Sequence, residues 1–486
     1  MSSVSSSPAD HSAESLRRWK RNEALAEAIV PLTGALYRDQ AVVCELFGRS
    51  LVGKTPTGIL QIHAEAQRKA GADIDLQAVH DLLVRMNARA LGRARVDLGR
   101  LLRRHAQAGT DEGLVAWADA QLAAIDRTAA PMPDKPLDVV LYGFGRIGRL
   151  IARILIGKTG GGDKYRLRAI VLRPGKKEDL VRRASLLERD SVHGPFEGTV
   201  EVDVERDLLI INGNVVQVIY AAGPADIDYT VHGIENAVVI DNTGKWRDEA
   251  GLGLHLEAPG ASRVILTAPG KGIPNVVYGV NEGVLTGDER LISAASCTTN
   301  AIVPPLASLE QAFGIVHGHV ETVHAYTNDQ NLIDNFHKKD RRGRGAPLNM
   351  VITSTGAAKA AALALPSLEG KLTGSAIRVP TPNVSLAILN LQLGTPTTTE
   401  ALNAHFRDVA LDSPLAHQID VTTSPEIVSS DLVGTSHASV VDVHATIVRG
   451  TTATVYVWYD NEFGYSCQVV RLMQHLAGVS PVRFPS

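Results

Sequence analysis

The feature that most constrains the fold of this chain is a glycine-rich turn between two apolar stretches. Residues 137–142 have the composition of a buried strand, and residues 147–156 have the apolar pattern of a helix. Between them lies a G-x-G-x-x-G fingerprint formed by Gly143, Phe144, Gly145, Arg146, Ile147 and Gly148. Glycines at this spacing let the turn close and let backbone N–H groups approach a pyrophosphate at a helix N-terminus. A plain tight turn could use the same residues, but the strand-to-helix position favours a dinucleotide site.

The end of the second predicted strand bears on which dinucleotide binds. A carboxylate that contacts the ribose is expected about 20 residues after the fingerprint, at the end of that strand. The strand-like residues 167–172 are instead followed by Arg173, with Lys176 and Lys177 shortly after it. A basic side chain suits a 2′-phosphate, so the sequence favours NADP, and NAD is the alternative. A solvated basic loop would have the same composition.

The chain is too long for one hydrophobic core, and its patterns divide it into segments. It has 486 residues, so two or three domains are expected. Residues 1–16 are serine-rich and are predicted to be disordered. Residues 17–130 carry leucines near helical spacing and are predicted to form an all-helical extension. The proline-rich residues 129–136 indicate a linker, because proline blocks both helix and central strand.

After the linker, the pattern predicts an α/β fold in two domains. Strand-like runs alternate with helix-like runs, as in a doubly wound parallel sheet, and this domain is predicted to comprise residues 136–296 and 461–486. Longer strand-like runs, such as residues 384–391 and 452–458, predict a mixed or antiparallel sheet in a catalytic domain of residues 297–460.

Composition argues against several classes of protein. The net charge of −3 gives no reason to expect a nucleic-acid partner. No apolar run approaches the length of a membrane span, and the N-terminus lacks the apolar region of a secretory signal. The three cysteines, Cys44, Cys297 and Cys467, are too few for a disulfide framework. We therefore expect a cytoplasmic protein with no membrane partner.

Cys297 is the strongest candidate for a nucleophile. It lies in Ala-Ser-Cys-Thr-Thr-Asn (295–300), between strand-like residues 290–293 and a helix-like run. A thiol at a helix N-terminus is expected to have a lowered pKa, because the helix dipole stabilises the thiolate. His324, on the strand-like residues 319–324, offers a base. The pair predicts covalent catalysis, whereas a lone cysteine or histidine is more often a buried core residue.

Taken in order, these motifs resemble those of phosphorylating glyceraldehyde-3-phosphate dehydrogenase. The similarity covers about residues 137–480. Besides the fingerprint and the cysteine segment, the matching segments are Thr-Val-His-Ala-Tyr-Thr-Asn-Asp-Gln (322–330), Ser-Thr-Gly-Ala-Ala-Lys-Ala (354–360), Arg-Val-Pro-Thr-Pro-Asn-Val-Ser (378–385) and Trp-Tyr-Asp-Asn-Glu-Phe-Gly-Tyr-Ser (458–466). The resemblance implies a Rossmann-type dinucleotide-binding domain, an α+β catalytic domain and a homotetramer.

The resemblance also implies roles for individual residues. Cys297 would attack the aldehyde of glyceraldehyde 3-phosphate, and His324 would take the proton and stabilise the tetrahedral oxyanion. Hydride would pass to NAD or NADP, and inorganic phosphate would cleave the thioester to an acyl phosphate. The cofactor-binding residues would be Gly143, Phe144, Gly145, Arg146, Ile147, Gly148, Arg173, Thr243, Gly244 and Asn461, the last holding the nicotinamide carboxamide. The two phosphate sites would share Ser296, Thr298, Thr327, Asp329, Arg342, Thr355, Gly356 and Arg378, and no metal is implied.

The chain departs from the family pattern in three places. Ala301 stands where many relatives have a second cysteine, and Phe336 stands where relatives that use NAD often have proline. The third departure is the extension, which ordinary members lack. Within it, Gly48-Arg49-Ser50-Leu51-Val52-Gly53-Lys54-Thr55 matches a phosphate-binding P-loop. No acidic strand end is recognisable after it, so we interpret it as a turn between helices, and a docking role for the extension is a hypothesis.

The leading hypothesis is a triose-phosphate dehydrogenase of glycolysis or gluconeogenesis. One alternative is oxidation of erythrose 4-phosphate, but the intact Ser354-Thr355-Gly356 segment favours the triose substrate. Another is a regulatory or scaffolding protein that uses the extension, and the intact Cys297 and His324 argue against an inactive enzyme.

Overall fold

The computed structural model describes residues 8–126, 135–158, 164–176 and 178–485. The chain divides into two compact units, one of Met1–Pro133 with Pro481–Ser486 and the other of Asp134–Ser480. Among the residues described, no helix is long and apolar enough to cross a membrane. The same ranges contain no group of three or more histidine, cysteine, aspartate or glutamate side chains able to hold a metal.

The first unit combines helices with a small sheet. Its elements are helix α1 (Pro8–Gln40), strands β1 (Val42–Leu46) and β2 (Arg49–Ser50), helices α2 (Pro56–Ala70) and α3 (Leu76–Asn87), strand β3 (Ala94–Asp97), and helices α4 (Leu98–Ala108) and α5 (Leu114–Leu122). The four-stranded sheet has the order β2-β1-β3, followed by a C-terminal strand, Val482–Phe484. Strand β3 pairs parallel with both β1 and the C-terminal strand.

The extension is therefore rich in helix but not all-helical. Strands β1 and β3 are short, and their apolar side chains, such as Cys44 and Val96, are fully buried. Strands of four or five residues are too short to show a period of two, and the long flanking helices dominate the pattern. The predicted disordered tail also needs correction. Helix α1 includes residues 8–16, and residues 1–7 lie outside the described part of the chain.

A second correction concerns the chain terminus. Residues 481–486 were predicted to belong to the dinucleotide-binding domain, yet the C-terminal strand completes the sheet of the extension. Val482 pairs with Ala94, and Phe484 pairs with Val96. This pairing joins residues almost 400 positions apart, so no local pattern could predict it.

The P-loop-like segment forms a hairpin and a helix cap. Phe47 and Gly48 have φ of 43° and 83° and close the β1–β2 turn. Their N–H groups donate to the carboxylate of Asp97, both at 2.9 Å, and Thr55 caps α2. The segment is thus a strand-to-strand turn rather than the predicted turn between helices. Asp97 is also an acidic strand end that was not recognised in the sequence.

The second unit begins with a dinucleotide-binding domain. Its elements are β4 (Leu137–Tyr142), α6 (Arg146–Lys158), β5 (Tyr165–Leu172), α7 (Asp179–Glu188), β6 (Arg189–Asp190), β7 (Gly194–Pro195), β8 (Val200–Asp203), β9 (Leu208–Ile211), β10 (Asn214–Tyr220), β11 (Ala237–Asp241), α8 (Glu249–Gly253), β12 (Ala261–Leu266) and β13 (Leu291–Ser293). The eight-stranded sheet has the order β13-β12-β11-β4-β5-β10-β9-β8. The first six of these strands are parallel, and β9 and β8 extend the sheet antiparallel.

The catalytic domain follows the dinucleotide-binding domain. Its elements are α9 (Cys297–Phe313), β14 (Ile315–Ala325), β15 (Val351–Thr353), α10 (Ala357–Ala364), β16 (Leu372–Val379), β17 (Ser385–Thr397), α11 (Thr399–Leu411), β18 (Ile419–Thr422), β19 (Ser439–Asp442) and β20 (Ile447–Tyr459). After these elements the chain forms helix α12 (Phe463–Leu476). The mixed seven-stranded sheet has the order β15-β16-β14-β17-β20-β19-β18. Helix α12 packs into the hydrophobic core of the dinucleotide-binding domain. The predicted Rossmann-type domain and mixed-sheet catalytic domain are confirmed.

Candidate active site

A capped turn holds Cys297 at the first position of α9. The Ser296 backbone is extended, and its Oγ accepts from the N–H of Thr299 at 3.0 Å. The Asn300 side chain donates to the carbonyl oxygens of Ala294 and Ser296, each at 2.9 Å. Because these bonds close the connection from β13, the thiol is held at the helix N-terminus, where it is partly exposed.

His324 lies within reach of this thiol. Cys297 Sγ and His324 Nε2 are 3.5 Å apart, and the imidazole is only 5% exposed. His324 Nδ1 lies 2.7 Å from the carbonyl oxygen of Ala325, which can only accept, and 2.8 Å from Arg378 Nη1, which can only donate. The Ala325 contact favours the tautomer with its proton on Nδ1, which leaves Nε2 as an acceptor for the thiol, whereas the Arg378 contact favours the other tautomer. The geometry suits a nucleophile and its general base.

The protonation of the pair differs from the sequence expectation. Desolvation raises the pKa of the Cys297 thiol, although the charge of Arg378 and hydrogen bonds at Thr298 act to lower it. Desolvation and then the charge of Arg378 lower the pKa of His324 to about 3. The predicted lowering of the thiol pKa is outweighed because packing removes water from around the sulfur. At neutral pH the thiol and the imidazole are therefore both neutral.

Arg378 supplies a positive charge beside the pair. The parallel register of β14 and β16 sets His324 opposite Arg378. Arg378 Nη1 donates to the Ala325 carbonyl oxygen at 3.0 Å and to Thr327 Oγ1 at 3.3 Å. Burial lowers the pKa of this guanidinium. An anion that binds next to the thiol would therefore be favoured by a charge that water screens poorly.

Arg342 continues this cationic group. It is 8% exposed, forms an ion pair with Asp329, and donates to Thr353 Oγ1 at 3.2 Å. Thr327 also donates its hydroxyl to Asp329. Four of the predicted phosphate ligands thus form one connected set. Asp329 is the negative member of that set, so a phosphate would have to compete with it for Arg342.

The other predicted phosphate ligands fall in two places. Thr355 Oγ1 accepts from Ala357 N at 3.1 Å, and Gly356 stands at the N-cap of α10, so both lie at a helix start. The Ser296 hydroxyl is bonded within the α9 cap. The Thr298 hydroxyl lies 3.0 Å from the Tyr459 hydroxyl, and Thr298 is buried. Tyr459 was not predicted as a site residue, although it lies in the matching 458–466 segment.

The backbone of the fingerprint fits a dinucleotide. Gly143 has φ of 93°, which a side chain rarely adopts. A Cβ on Gly148 would clash with the Gly143 carbonyl oxygen, so these glycines let α6 pack closely on β4. A Cβ on Gly145 would meet nothing within 4 Å, which leaves open space over the turn. That space is where backbone N–H groups can approach a pyrophosphate.

The side chains of the fingerprint pack against or bond to other residues of the chain. Phe144 is 4% exposed and packs in the domain core, and Ile147 packs against that core. Arg146 donates to Glu462 at 2.5 Å and to Asp190 at 3.1 Å. The Phe144 side chain is therefore unavailable to a cofactor, and the Arg146 guanidinium is engaged by two carboxylates.

Two other predicted cofactor ligands lie near the turn. Thr243 donates through its N–H and its hydroxyl to Asp241, both at 2.7 Å, and Gly244 has φ of 60°. A Cβ on Gly143 would lie 3.0 Å from the methyl of Thr243, so Thr243 lies against the fingerprint.

The turn after β5 carries both signs of charge. Arg173 and Lys176 are exposed, and Lys177 lies outside the described residues. Asp179, the first residue of α7, accepts from the Lys176 N–H at 3.3 Å. An acid therefore lies beside this turn, although it was not recognised in the sequence as a ribose ligand.

The sequence profiles of two protein domains match this chain. The glyceraldehyde 3-phosphate dehydrogenase NAD binding domain matches residues 137–249, and the C-terminal domain of the same enzyme matches residues 296–461. The first match lies on the eight-stranded sheet, and the second lies on the seven-stranded sheet.

Curated relatives agree with these profiles. A glyceraldehyde-3-phosphate dehydrogenase-like protein of Pseudomonas aeruginosa is 56% identical over 461 residues, which cover 94% of this chain and 100% of the relative. The chloroplastic glyceraldehyde-3-phosphate dehydrogenase A of Zea mays is 43% identical over 339 residues, 69% of this chain and 81% of the relative. The glyceraldehyde-3-phosphate dehydrogenase of Zymomonas mobilis is 39% identical over 343 residues, 70% of this chain and 98% of the relative. The coverage of 94% means that the Pseudomonas protein also matches the extension.

Proposed function

Because this chain belongs to the glyceraldehyde-3-phosphate dehydrogenase family, we propose that it oxidises glyceraldehyde 3-phosphate to 1,3-bisphosphoglycerate with NAD or NADP. The observation that supports this most directly is the 3.5 Å contact between Cys297 and His324 at the start of α9. A thiol and a neutral imidazole in contact are the groups that aldehyde oxidation through a thioester requires.

The proposed reaction begins with attack by the thiol. Cys297 Sγ forms a bond to the aldehyde carbon while its proton passes to His324 Nε2. The imidazolium then returns this proton to the oxyanion, which gives the hydroxyl of the thiohemiacetal. A bound dinucleotide would supply the hydride acceptor, and His324 would take the hydroxyl proton as the thioester forms. Inorganic phosphate would next attack the thioester carbonyl, and Sγ would leave as a thiolate and take the proton from the His324 imidazolium.

The arginines are proposed to bind the two phosphates. Arg378 and Arg342 are buried or largely buried, so their charge is screened little by water. Hydroxyl groups of Thr327 and Thr355, with the helix start at Gly356, would add hydrogen bonds to phosphate oxygens. Binding at Arg342 would displace its ion pair with Asp329.

The cofactor preference remains a proposal for NADP over NAD. It rests on the exposed Arg173 after β5, a position where a carboxylate would favour NAD. The neighbouring Asp179 supports the alternative, NAD. We also propose a cytoplasmic homotetramer, with the exposed Leu332, Ile333 and Phe336 buried between subunits.

The direct test is an assay of the purified full chain with glyceraldehyde 3-phosphate, phosphate and either NAD or NADP. We expect reduced cofactor, lost in Cys297→Ser and lowered by orders of magnitude in His324→Asn. Absence of reduced cofactor with either dinucleotide would refute the proposal. A parallel assay with erythrose 4-phosphate tests the alternative substrate, and a higher kcat/KM for that aldose would replace the triose assignment.

A further inference from the structure

Ser385 occupies an unusual position at the start of β17. It is 1% exposed and follows Val384, whose φ of 64° lies in the left-handed region. That conformation is a rare outlier for a β-branched residue, and it persists only where the surroundings impose it. On the other side of Val384, the buried Asn383 donates to Asp460 at 3.0 Å. The segment 383–385 is therefore held against the end of β20.

The Ser385 hydroxyl connects two parts of the proposed active site. Its oxygen accepts from the N–H of Ala325 at 3.1 Å. It donates to Asn461 Oδ1 at 2.8 Å, and Asn461 is 5% exposed. The carbonyl oxygen of Ala325 in turn lies 2.7 Å from His324 Nδ1. One hydroxyl thus bridges the residue next to the base and the residue assigned to the nicotinamide.

This bridge determines which end of the Asn461 amide is available. An asparagine side chain has one acceptor end and one donor end, and a half-turn exchanges them. The Ser385 proton occupies the Oδ1 end, so the Nδ2 end is presented as a donor. A donor at that place suits the carbonyl oxygen of a carboxamide, whereas a rotated amide would present an acceptor to it.

We propose that Ser385 is a positioning residue that holds the Asn461 amide in the donor orientation, and thereby selects the face of the nicotinamide that receives hydride. The proposal rests on the proposed function, because it assigns Asn461 to the carboxamide. Ser385 acts through Asn461 and need not touch the cofactor itself.

The test measures dinucleotide binding to the cofactor-free full chain, by equilibrium titration with NAD and NADP. We expect Ser385→Ala to weaken binding about three- to tenfold, the size of one net hydrogen bond. In an Asn461→Ala background, the same change should cause no further loss, because the amide that it orients is gone. Additive losses, or unchanged binding in Ser385→Ala, would overturn the proposal.

A second measurement follows the stereochemistry of the product. With glyceraldehyde 3-phosphate deuterated at the aldehyde carbon, NMR of the reduced cofactor gives the proportion of label on each face. We expect one face in the unaltered protein, a mixture in Ser385→Ala and one face again in Ser385→Thr, which keeps the hydroxyl. Label on a single nicotinamide face in Ser385→Ala would contradict the role proposed for Ser385.

Ser308→Ala is the matched control. Ser308 is also buried and is bonded to a side chain, His405 at 2.7 Å, but it lies in the later part of α9. Removal of the Ser308 hydroxyl should change neither the dinucleotide affinity nor the nicotinamide face that receives the label. If the unaltered protein reduces no cofactor, the proposed function fails, and the binding cycle still tests the coupling between Ser385 and Asn461.

Discussion

The fingerprint glycines allow a test that separates packing from cofactor approach. Replacement of Gly148 by alanine would put a Cβ under 3.0 Å from the Gly143 carbonyl oxygen and 3.3 Å from its carbonyl carbon. The obstacle is backbone, and the Gly143 N–H is held by Val171 at 3.0 Å, so α6 must move away from β4. Gly145→Ala is the matched change, because its Cβ would meet nothing within 4 Å.

The expected magnitudes follow from these contacts. Overpacking at Gly148 should cost about 1–3 kcal/mol, offset by up to about 1 kcal/mol of helix propensity. A net loss of about 1–2 kcal/mol corresponds to a melting temperature lower by about 2–8 °C for a domain of about 150–250 residues, the size class of the dinucleotide-binding domain. Gly145→Ala should leave the melting temperature unchanged, while its methyl occupies the space over the turn and weakens dinucleotide binding about tenfold or more.

Thermal unfolding without cofactor and equilibrium titration with NAD and NADP measure the two effects separately. An unchanged melting temperature in Gly148→Ala would refute the close packing of α6 on the turn. Unchanged dinucleotide affinity in Gly145→Ala would refute the placement of the pyrophosphate over that residue.

Three further changes test other parts of the structure. The pKa of His324 is lowered to about 3 from 6.5, so its contribution to stability is present above pH 6.5 and is lost as the pH falls towards 3. Between pH 7 and pH 4.5, the free energy of unfolding should fall by about 2.5 kcal/mol more in the unaltered protein than in His324→Gln, as measured by urea denaturation. Equal losses in the two proteins would contradict a buried neutral imidazole. Asp97→Ala removes the carboxylate that accepts from the N–H groups of Phe47 and Gly48 and that caps α4. Amide hydrogen exchange at Phe47 and Gly48 should therefore be faster, and an unchanged exchange rate would contradict these hydrogen bonds. Deletion of residues 1–130 removes β3, so limited proteolysis should cut the chain after residue 480 more readily, and equal protection would contradict the pairing with the C-terminal strand.

Agreement between sequence and structure is best where the signal is local. The strand predicted at residues 137–142 is observed with the same bounds, and the turn and helix after it lie where the glycine spacing placed them. The predicted strand at residues 452–458 is part of the longer β20. These elements depend on periodicity and on glycine geometry over a few residues, and both can be read directly from the sequence.

The sequence predictions differ from the structure where strand pairing and side-chain contacts depend on residues far away in the chain. The strands of the extension are stabilised by burial between elements, and the C-terminal strand finds its partner almost 400 residues away. Nothing in the sequence indicates that the Arg146 guanidinium bonds to Glu462, 316 residues later. A polar side chain bonds to whatever the fold brings near it, which residue type and spacing cannot specify.

The sequence by itself determined that a dinucleotide-binding turn precedes a cysteine at a helix start, since both features are set by neighbouring residues. Only the tertiary structure decided the chemical state of that cysteine. The dipole of α9 favours the thiolate, but desolvation raises the thiol pKa. His324 contacts the sulfur from β14, and the charge of Arg378 acts on it from the neighbouring β16. Solvation and charge act through space, so the protonation of Cys297 is a property of the folded chain and not of its segment.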